Sequence, residues 1–235
     1  MDQIIPYCGP APAPQTLMTA WNIGLLPLAL SIAPMVVAAM VPGMRRGPTL
    51  VASVALFMAF VSPLCALTTA LFSARTLHHV VLVLVAAPAL AMAWPRMLPL
   101  SRLAGGLGLT LFLWLWHLPA AYTLAWESEG VYWAMQAGLL VSACAIWQPE
   151  RPGERGAMMA IILALAGQMG LIGAILTFSP RILYPQHLAS APAFGLEALA
   201  DQQLAGLIMW GPGMLPLLLV GGLLLRRGWR EVALT

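Results

Sequence analysis

The sequence predicts an all-α integral membrane protein, a bundle of seven transmembrane helices with its N-terminus outside and its C-terminus in the cytoplasm. Only 11 basic and 8 acidic side chains occur among 235 residues, while 61% of the residues are hydrophobic and the mean hydropathy is +0.87. A soluble domain is about 50% apolar and about 25% charged. The charged residues lie between apolar runs of about 20 residues, the length that a helix needs to cross a bilayer.

These runs place the helices one after another along the chain. No stretch between them is long enough for a soluble domain, since the longest, about residues 179–202, is a single loop. The first 16 residues contain four prolines and no basic side chain, unlike a cleaved signal peptide. We therefore expect one membrane domain over residues 1–235. The predicted spans are residues 17–42, 49–72, 76–93, 104–124, 131–148, 157–178 and 203–225.

The arginines predict the orientation, because short cytoplasmic loops retain positive charge. Nine of the 11 basic residues fall in alternate gaps and in the C-terminal tail, namely Arg45, Arg46, Arg96, Arg102, Arg151, Arg155, Arg226, Arg227 and Arg230. The exceptions are Arg75 and Arg181. The acidic residues assigned to the opposite, outer side are Asp2, Glu127, Glu129, Glu197 and Asp201.

Missing residues and motifs exclude several functions. The sequence contains no lysine, so it cannot form the Schiff base of a retinal protein. It has no G-x-S-x-G, no H-E-x-x-H and no pair of aspartates within the spans, so we expect no hydrolase and no enzyme. The net charge of +3 follows from the topology, and the expected partner is the lipid bilayer, not nucleic acid.

The three cysteines predict no disulfide framework. Cys8 lies outside, Cys65 in the outer half of the second span and Cys144 in the inner half of the fifth, so the last two are too far apart to pair. A lone thiol such as Cys8 in an oxidising compartment could be reactive or bind a metal ion, whereas a buried cysteine is a small apolar residue. Gly167, Gly170 and Gly173 predict a close helix crossing.

All four histidines fall on the predicted outer side of the membrane. His78 and His79 open the third helix, His117 lies in the outer half of the fourth, and His187 lies in the last outer loop. Ionisable residues within spans are costly, which makes each a candidate functional residue. His78 and His79 point about 100° apart, so at most one faces a given site. We expect His79 and His117 to approach each other; alternatively, His117 belongs to an aromatic belt at the membrane surface.

The most specific pattern lies in the last outer loop and the following helix. It consists of residues 180–185 (PRILYP), 195–196 (GL) and 201–210 (DQQLAGLIMW), together with residues 116–119 (WHLP), Tyr122 and the run from His79 to Pro88. Over about residues 60–215, the chain resembles the CtaG family, the multi-span assembly factors of caa-type cytochrome c oxidases. It departs from that family's pattern at Arg75, Tyr132 and Gln136, where the pattern has histidines.

The resemblance implies a metal-binding chaperone of a haem-copper cytochrome c oxidase in the bacterial cytoplasmic (inner) membrane. Its partners would be oxidase subunits, and it would handle or deliver copper, as Cu(I), at the outer, periplasmic face. Imidazole binds copper, and sulfur ligands favour Cu(I). The expected nitrogen ligands are His79, His117 and His187, and Met135 or Cys8 could add a sulfur; Met209 is the other methionine near the outer side.

The motif also contains residues with expected supporting roles. Asp201 could orient a histidine, or cap the start of helix seven. Tyr184 and Trp210 belong to the specific strings, and we expect Arg75 and Arg181 to pair with outer acids or lipid phosphates. Two other functions remain open: a membrane electron carrier with His79 and His117 as axial haem ligands, and a small-molecule or ion transporter. Transport would favour charges at mid-membrane, where the chain has only Gln168.

Overall fold

The structure is a computed structural model that describes residues 5–94, 98–149 and 153–233, with side chains up to residue 230. Three residues used to predict the orientation, Asp2, Arg96 and Arg151, lie outside these ranges. The described chain has nine α-helices and no strand: α1 (Leu25–Met40), α2 (Arg46–Phe60), α3 (Pro63–Ala70), α4 (Phe72–Ala93), α5 (Arg102–His117), α6 (Pro119–Glu127), α7 (Glu129–Trp147), α8 (Arg155–Phe178) and α9 (residues 198–233).

Four helices, α4, α7, α8 and α9, are each long and apolar enough to cross a membrane. The pairs α2 with α3 and α5 with α6 are bent by 42° and 83° at short breaks, so there are six candidate spans if each pair counts as one. Helix α1 is apolar but shorter, at 16 residues. The predicted helical class is confirmed for the described residues, with four to six spans. A seventh span and the orientation of the termini stay predictions.

Both breaks have a local cause in the sequence. Pro119 cannot donate a backbone hydrogen bond and forces Leu118 into an extended conformation, with φ −84° and ψ 121°. The predicted span 104–124 is therefore two helices at a steep angle. At the other break the Ser62 side chain accepts a hydrogen bond from the Leu64 amide, and Pro63 occupies the first turn of α3.

The chain reverses between α3 and α4 over a single residue, Leu71, which is extended at φ −128° and ψ 132°. The predicted gap between the second and third spans, which contained Arg75, is therefore wrong. Arg75 lies in the first turn of α4 and its side chain is only 3% exposed. Residues 73–75, which the sequence placed between two spans, belong to the first turn of α4. The side chain that caps this turn, Asp201, comes from a distant part of the chain.

The crossing of α8 and α9 depends on Gly173, one of the three glycines predicted to allow it; a Cβ atom at Gly170 would make only ordinary contacts, and one at Gly167 would meet no atom within 4 Å. A Cβ atom at Gly173 would lie 3.0 Å from the Gly206 carbonyl oxygen, and one at Gly206 would lie 2.5 Å from the Gly173 carbonyl oxygen. The indole N–H of Trp210 donates to the Gly170 carbonyl at 2.8 Å. Small residues thus let the two backbones approach closely. Trp210, a residue of the specific string, fixes this crossing.

The expectation that the cysteines form no disulfide is wrong, because Cys8 is bonded to Cys65 with a Cα–Cα distance of 5.4 Å. Residues before α1 fold back over the start of α3: the Asn22 amide donates to the Val61 carbonyl at 2.9 Å, and Tyr7 stacks on Tyr132 at 4.9 Å between ring centroids. No helical periodicity places this segment, so the sequence alone did not bring Cys8 to Cys65. Cys144 is buried and free.

The disulfide predicts a definite count of reactive thiols. When the protein is purified without reductant, unfolded and alkylated, we expect one modified cysteine, Cys144, and three after prior reduction, as measured by intact mass. The matched control Cys144→Ser should give none and two. Three modified cysteines without reduction would contradict the pairing.

The arginine distribution predicts opposite sides for two positions in the chain. A reporter fused after Arg46 should be cytoplasmic and one fused after Arg181 periplasmic, since short positively charged loops remain inside. Paired fusions to a fluorescent protein and to alkaline phosphatase measure this, with a fusion after Arg230 as the cytoplasmic control. Equal readings after Arg46 and Arg181 would mean an even number of spans between them and would contradict the prediction.

Candidate functional site

The carboxylate of Asp201 holds together the end of the bundle at which α4 and α9 begin, here called the Asp201 end. It accepts hydrogen bonds from the Phe72 amide at 2.6 Å, from the Ser73 amide at 3.2 Å and from the Ser73 hydroxyl, and it is fully buried. These amides belong to the first turn of α4, whose positive end attracts an anion. Asp201 thus caps α4 and not its own helix, where Glu197 is at the N-cap position.

Three more side chains of the last loop and α9 bind the same end of the bundle. The Ser190 hydroxyl donates to the Ala70 carbonyl at 2.7 Å, which satisfies the last turn of α3. The Gln202 side chain accepts from the Leu183 amide at 2.7 Å and donates to the Arg181 carbonyl at 3.2 Å. The Tyr184 hydroxyl donates to the His117 carbonyl at 2.9 Å. The specific strings therefore connect this part of the chain to α4 and α5, and Ser190, which lies between the strings, connects it to α3.

Arg75 lies inside this end, against the faces of two aromatic rings. Its guanidinium carbon is 5.5 Å from the Trp116 ring centroid and 5.4 Å from that of Tyr132, and Nη2 donates to the Thr68 carbonyl at 3.4 Å. Aromatic faces attract a guanidinium cation. The expectation that Arg75 pairs with an acid or a lipid phosphate is wrong, since it is buried and forms no salt bridge with a described residue. Arg181 is exposed, and its pairing stays a prediction.

The three departures from the resembled pattern lie together in this region. Arg75 contacts the ring of Tyr132, and Gln136 follows one turn further along α7 with only 1% of its surface exposed. A cation, a phenol and an amide therefore lie in one buried region between α4 and α7.

His79 and His117 both line one cavity, and the predicted close approach of their rings stays a prediction. Neither ring nitrogen of His79 has a hydrogen-bond partner among the described residues, and the side chain is 5% exposed. The Nδ1–H of His117 donates to the Leu113 carbonyl at 2.7 Å, which leaves the lone pair on Nε2. The cavity offers about 20 Å³ to water-sized molecules, enough for about one water molecule. Helices α4, α5, α7, α8 and α9 form its wall.

His78 and His187 lie away from this cavity. The His78 ring packs edge-on against Phe60 at 5.2 Å, so the adjacent histidines do face different surroundings. His187 is buried, and a hydrogen bond of 2.7 Å joins its Nε2 and the Tyr122 hydroxyl. Burial, and secondarily the charge of Arg75, lowers the pKa of His187 to about 3, so its ring is neutral at physiological pH. Its role as a ligand stays a prediction.

The expected sulfur ligands also lie elsewhere. Met135 is buried on α7 but is not part of the cavity wall, and the sulfur of Cys8 is bonded to Cys65, so it offers no thiolate while oxidised. Among the described residues, no group of three His, Cys, Asp or Glu side chains could hold a metal ion. Sequence reasoning missed Met169, a cavity residue whose only local signal is its position four residues after the buried Leu165.

The contacts of Asp201 predict a loss of stability on its removal. Asp201→Ala leaves two amides and a hydroxyl unsatisfied in the interior, at a cost of about 1–3 kcal/mol for each group. We expect the melting temperature in detergent to fall by about 5 °C or more. Glu197→Ala, an exposed acid that makes no side-chain cap, is the matched control and should melt like the wild type. Equal melting of both variants would refute the capping role.

Comparison with known proteins agrees with these features. The family model of the cytochrome c oxidase caa3 assembly factors (Caa3_CtaG) matches residues 103–231, which is more than half of the chain. The match includes His117, the last loop with Tyr184 and the capping residue Asp201, whereas α4 with His79 precedes it. Searches of curated proteins and of solved structures gave no match. The chain belongs to the family of cytochrome c oxidase caa3 assembly factors.

Proposed function

We propose that this chain supports the assembly of a haem-copper oxidase by receiving Cu(I) at the outer face of the bacterial cytoplasmic membrane and passing it to an oxidase subunit. The observation that carries the proposal is the buried cavity lined by both His79 and His117. Two neutral imidazoles in an apolar wall give copper its preferred nitrogen donors without burying further charge. Such a role is non-catalytic.

The size of the cavity favours a metal ion over haem. Cavities that enclose organic ligands have volumes of about 300–1,000 Å³, whereas this one offers about 20 Å³ to water-sized molecules. A single ion fits such a space between two imidazoles, and a porphyrin ring would require the helices to separate. The electron-carrier alternative is therefore the weaker one.

The position of Arg75 favours transfer over storage. Its fixed charge lies one turn before His79 on the same face of α4, where side chains four residues apart are neighbours. A cation at His79 is therefore repelled by the guanidinium, in an interior where charges are weakly screened. We expect weaker binding than two imidazoles alone would give, which suits a protein that hands its ion on.

Two features support the outer face as the side of action. The arginine distribution assigns the Asp201 end to the outside, and the disulfide between Cys8 and Cys65 lies at this end, against the start of α3. Disulfides persist in the oxidising compartments outside the cytoplasm. The copper-containing subunits that complete an oxidase on that face are the proposed partners.

The proposal predicts a copper-dependent defect in the cell. A deletion strain grown with limiting copper should lose most of its caa3-type oxidase activity while the oxidase transcripts stay at their normal level. Excess copper should restore part of the activity, because the missing step is metal delivery. Oxygen uptake with reduced cytochrome c and transcript quantification measure the two quantities.

Complementation separates the cavity from the rest of the fold. The wild-type chain and His78→Ala should restore activity, since His78 lies outside the cavity, whereas a His79→Ala, His117→Ala double variant should not. An immunoblot of membranes must show equal amounts of each protein. Normal oxidase activity in the deletion strain at limiting copper would refute the proposal that this chain delivers copper for oxidase assembly.

A further inference from the structure

We infer that Met169 and Met209 complete a buried two-histidine, two-methionine site for Cu(I) with His79 and His117. This inference rests on the proposed function, because it names the ligands of the transferred ion. Both methionines line the same cavity as the histidines, and both are buried, at 5% and 1% exposure. The site would lie between α4, α5, α8 and α9.

The order of the residues along the cavity wall brings these four side chains to one end of it. At the Asp201 end α4 and α9 begin and α5 and α8 finish, as the contacts of Asp201 and Tyr184 require. On α5, α8 and α9 the wall residue nearest that end is His117, Met169 and Met209, respectively. On α4 it is His79, with only Thr76 nearer. The deeper wall residues are aliphatic apart from Trp147.

His117 is the last residue of α5 and lies nearest the Asp201 end, whereas the three buried residues lie deeper, at depths that differ by about 6 Å. His79 is seven residues from the start of α4, Met169 nine from the end of α8 and Met209 eleven from the start of α9. At about 1.5 Å per residue these positions are about 10, 13 and 16 Å along their helices. The flexible thioether side chain of methionine spans such differences easily.

The backbone next to the site departs from regular α-helix on two walls. A π-helical segment, Leu82–Ala86, begins three residues after His79, and a second one, Met209–Gly213, begins at Met209 itself. Such segments change the direction of side chains and are frequent at functional sites. Gly213 in the second segment makes room for Met169, since a Cβ atom there would lie 2.5 Å from the Met169 methyl carbon.

The donor set matches the chemistry of Cu(I). Thioether sulfur selects Cu(I), and imidazole is a good copper ligand. All four ligands are neutral, so a monovalent ion adds one charge to the interior and no ligand has to lose a proton. His117 is partly exposed while the other three are buried, which makes it the first ligand that an arriving ion meets.

X-ray absorption of the Cu(I)-loaded full-length protein in detergent tests the ligand set directly. The wild type should bind one ion, with sulfur neighbours at a typical metal–sulfur distance of about 2.3 Å besides nitrogen. Met169→Leu and Met209→Leu should each remove sulfur from the shell and lower the affinity by about tenfold or more in competition with a Cu(I) chelator. Because the loss of a contact that only supports a ligand also lowers metal affinity by about 10–100-fold, the loss of sulfur neighbours, and not the affinity, identifies a methionine as a ligand.

Met135→Leu is the matched control, because it removes a buried thioether outside the cavity and should leave both readings unchanged. The wild-type spectrum needs no variant to fold, so the test holds even if a substitution destabilises the chain. One bound ion with nitrogen neighbours alone would overturn the methionine site and leave the proposed function standing. No bound Cu(I) at all would overturn both.

Discussion

The reversal between α3 and α4 is the constraint on which the arrangement of the site depends. Leu71 is the only residue between the two helices, so the carbonyls that end α3 and the amides that begin α4 meet inside the bundle. In a membrane protein such groups cannot rely on water, and each unsatisfied one costs several kcal/mol. Ser190 and Asp201 satisfy them from the far end of the sequence. The same contacts place His79, one to two turns later on α4, against the cavity.

Arg75 and His79 are two polar side chains of α4 that are buried in an apolar interior, and their surroundings differ. Arg75 is stabilised by the faces of Trp116 and Tyr132 instead of by a carboxylate. On the same helix His79 lines the cavity, and neither of its ring nitrogens has a hydrogen-bond partner among the described residues. The Arg75 guanidinium donates through Nη2 to the Thr68 carbonyl, while its Nε and Nη1 have no such partner there.

The cavity is lined by residues from inside and from outside the region that the family model matches. The matched region, residues 103–231, supplies His117, Met169 and Met209 on three helices. His79 comes from α4, before the match begins. Asp201 joins the two parts, because it belongs to the matched region and caps α4. A residue of the matched region thus holds the start of the unmatched helix in place.

The sequence by itself determined the all-helical class and the order of the apolar helices along the chain. Apolar run length and the sequence Leu118-Pro119 act locally, so these features follow from neighbouring residues. Only the tertiary structure decided the partners of distant residues. Asp201 caps a helix 128 residues away in the chain, Cys8 pairs with Cys65 across 57 residues, and Met169 lines the internal cavity. These contacts depend on how helices pack against each other, and apolar residues that face lipid and those that face the core look alike in a membrane sequence, because both surroundings are apolar.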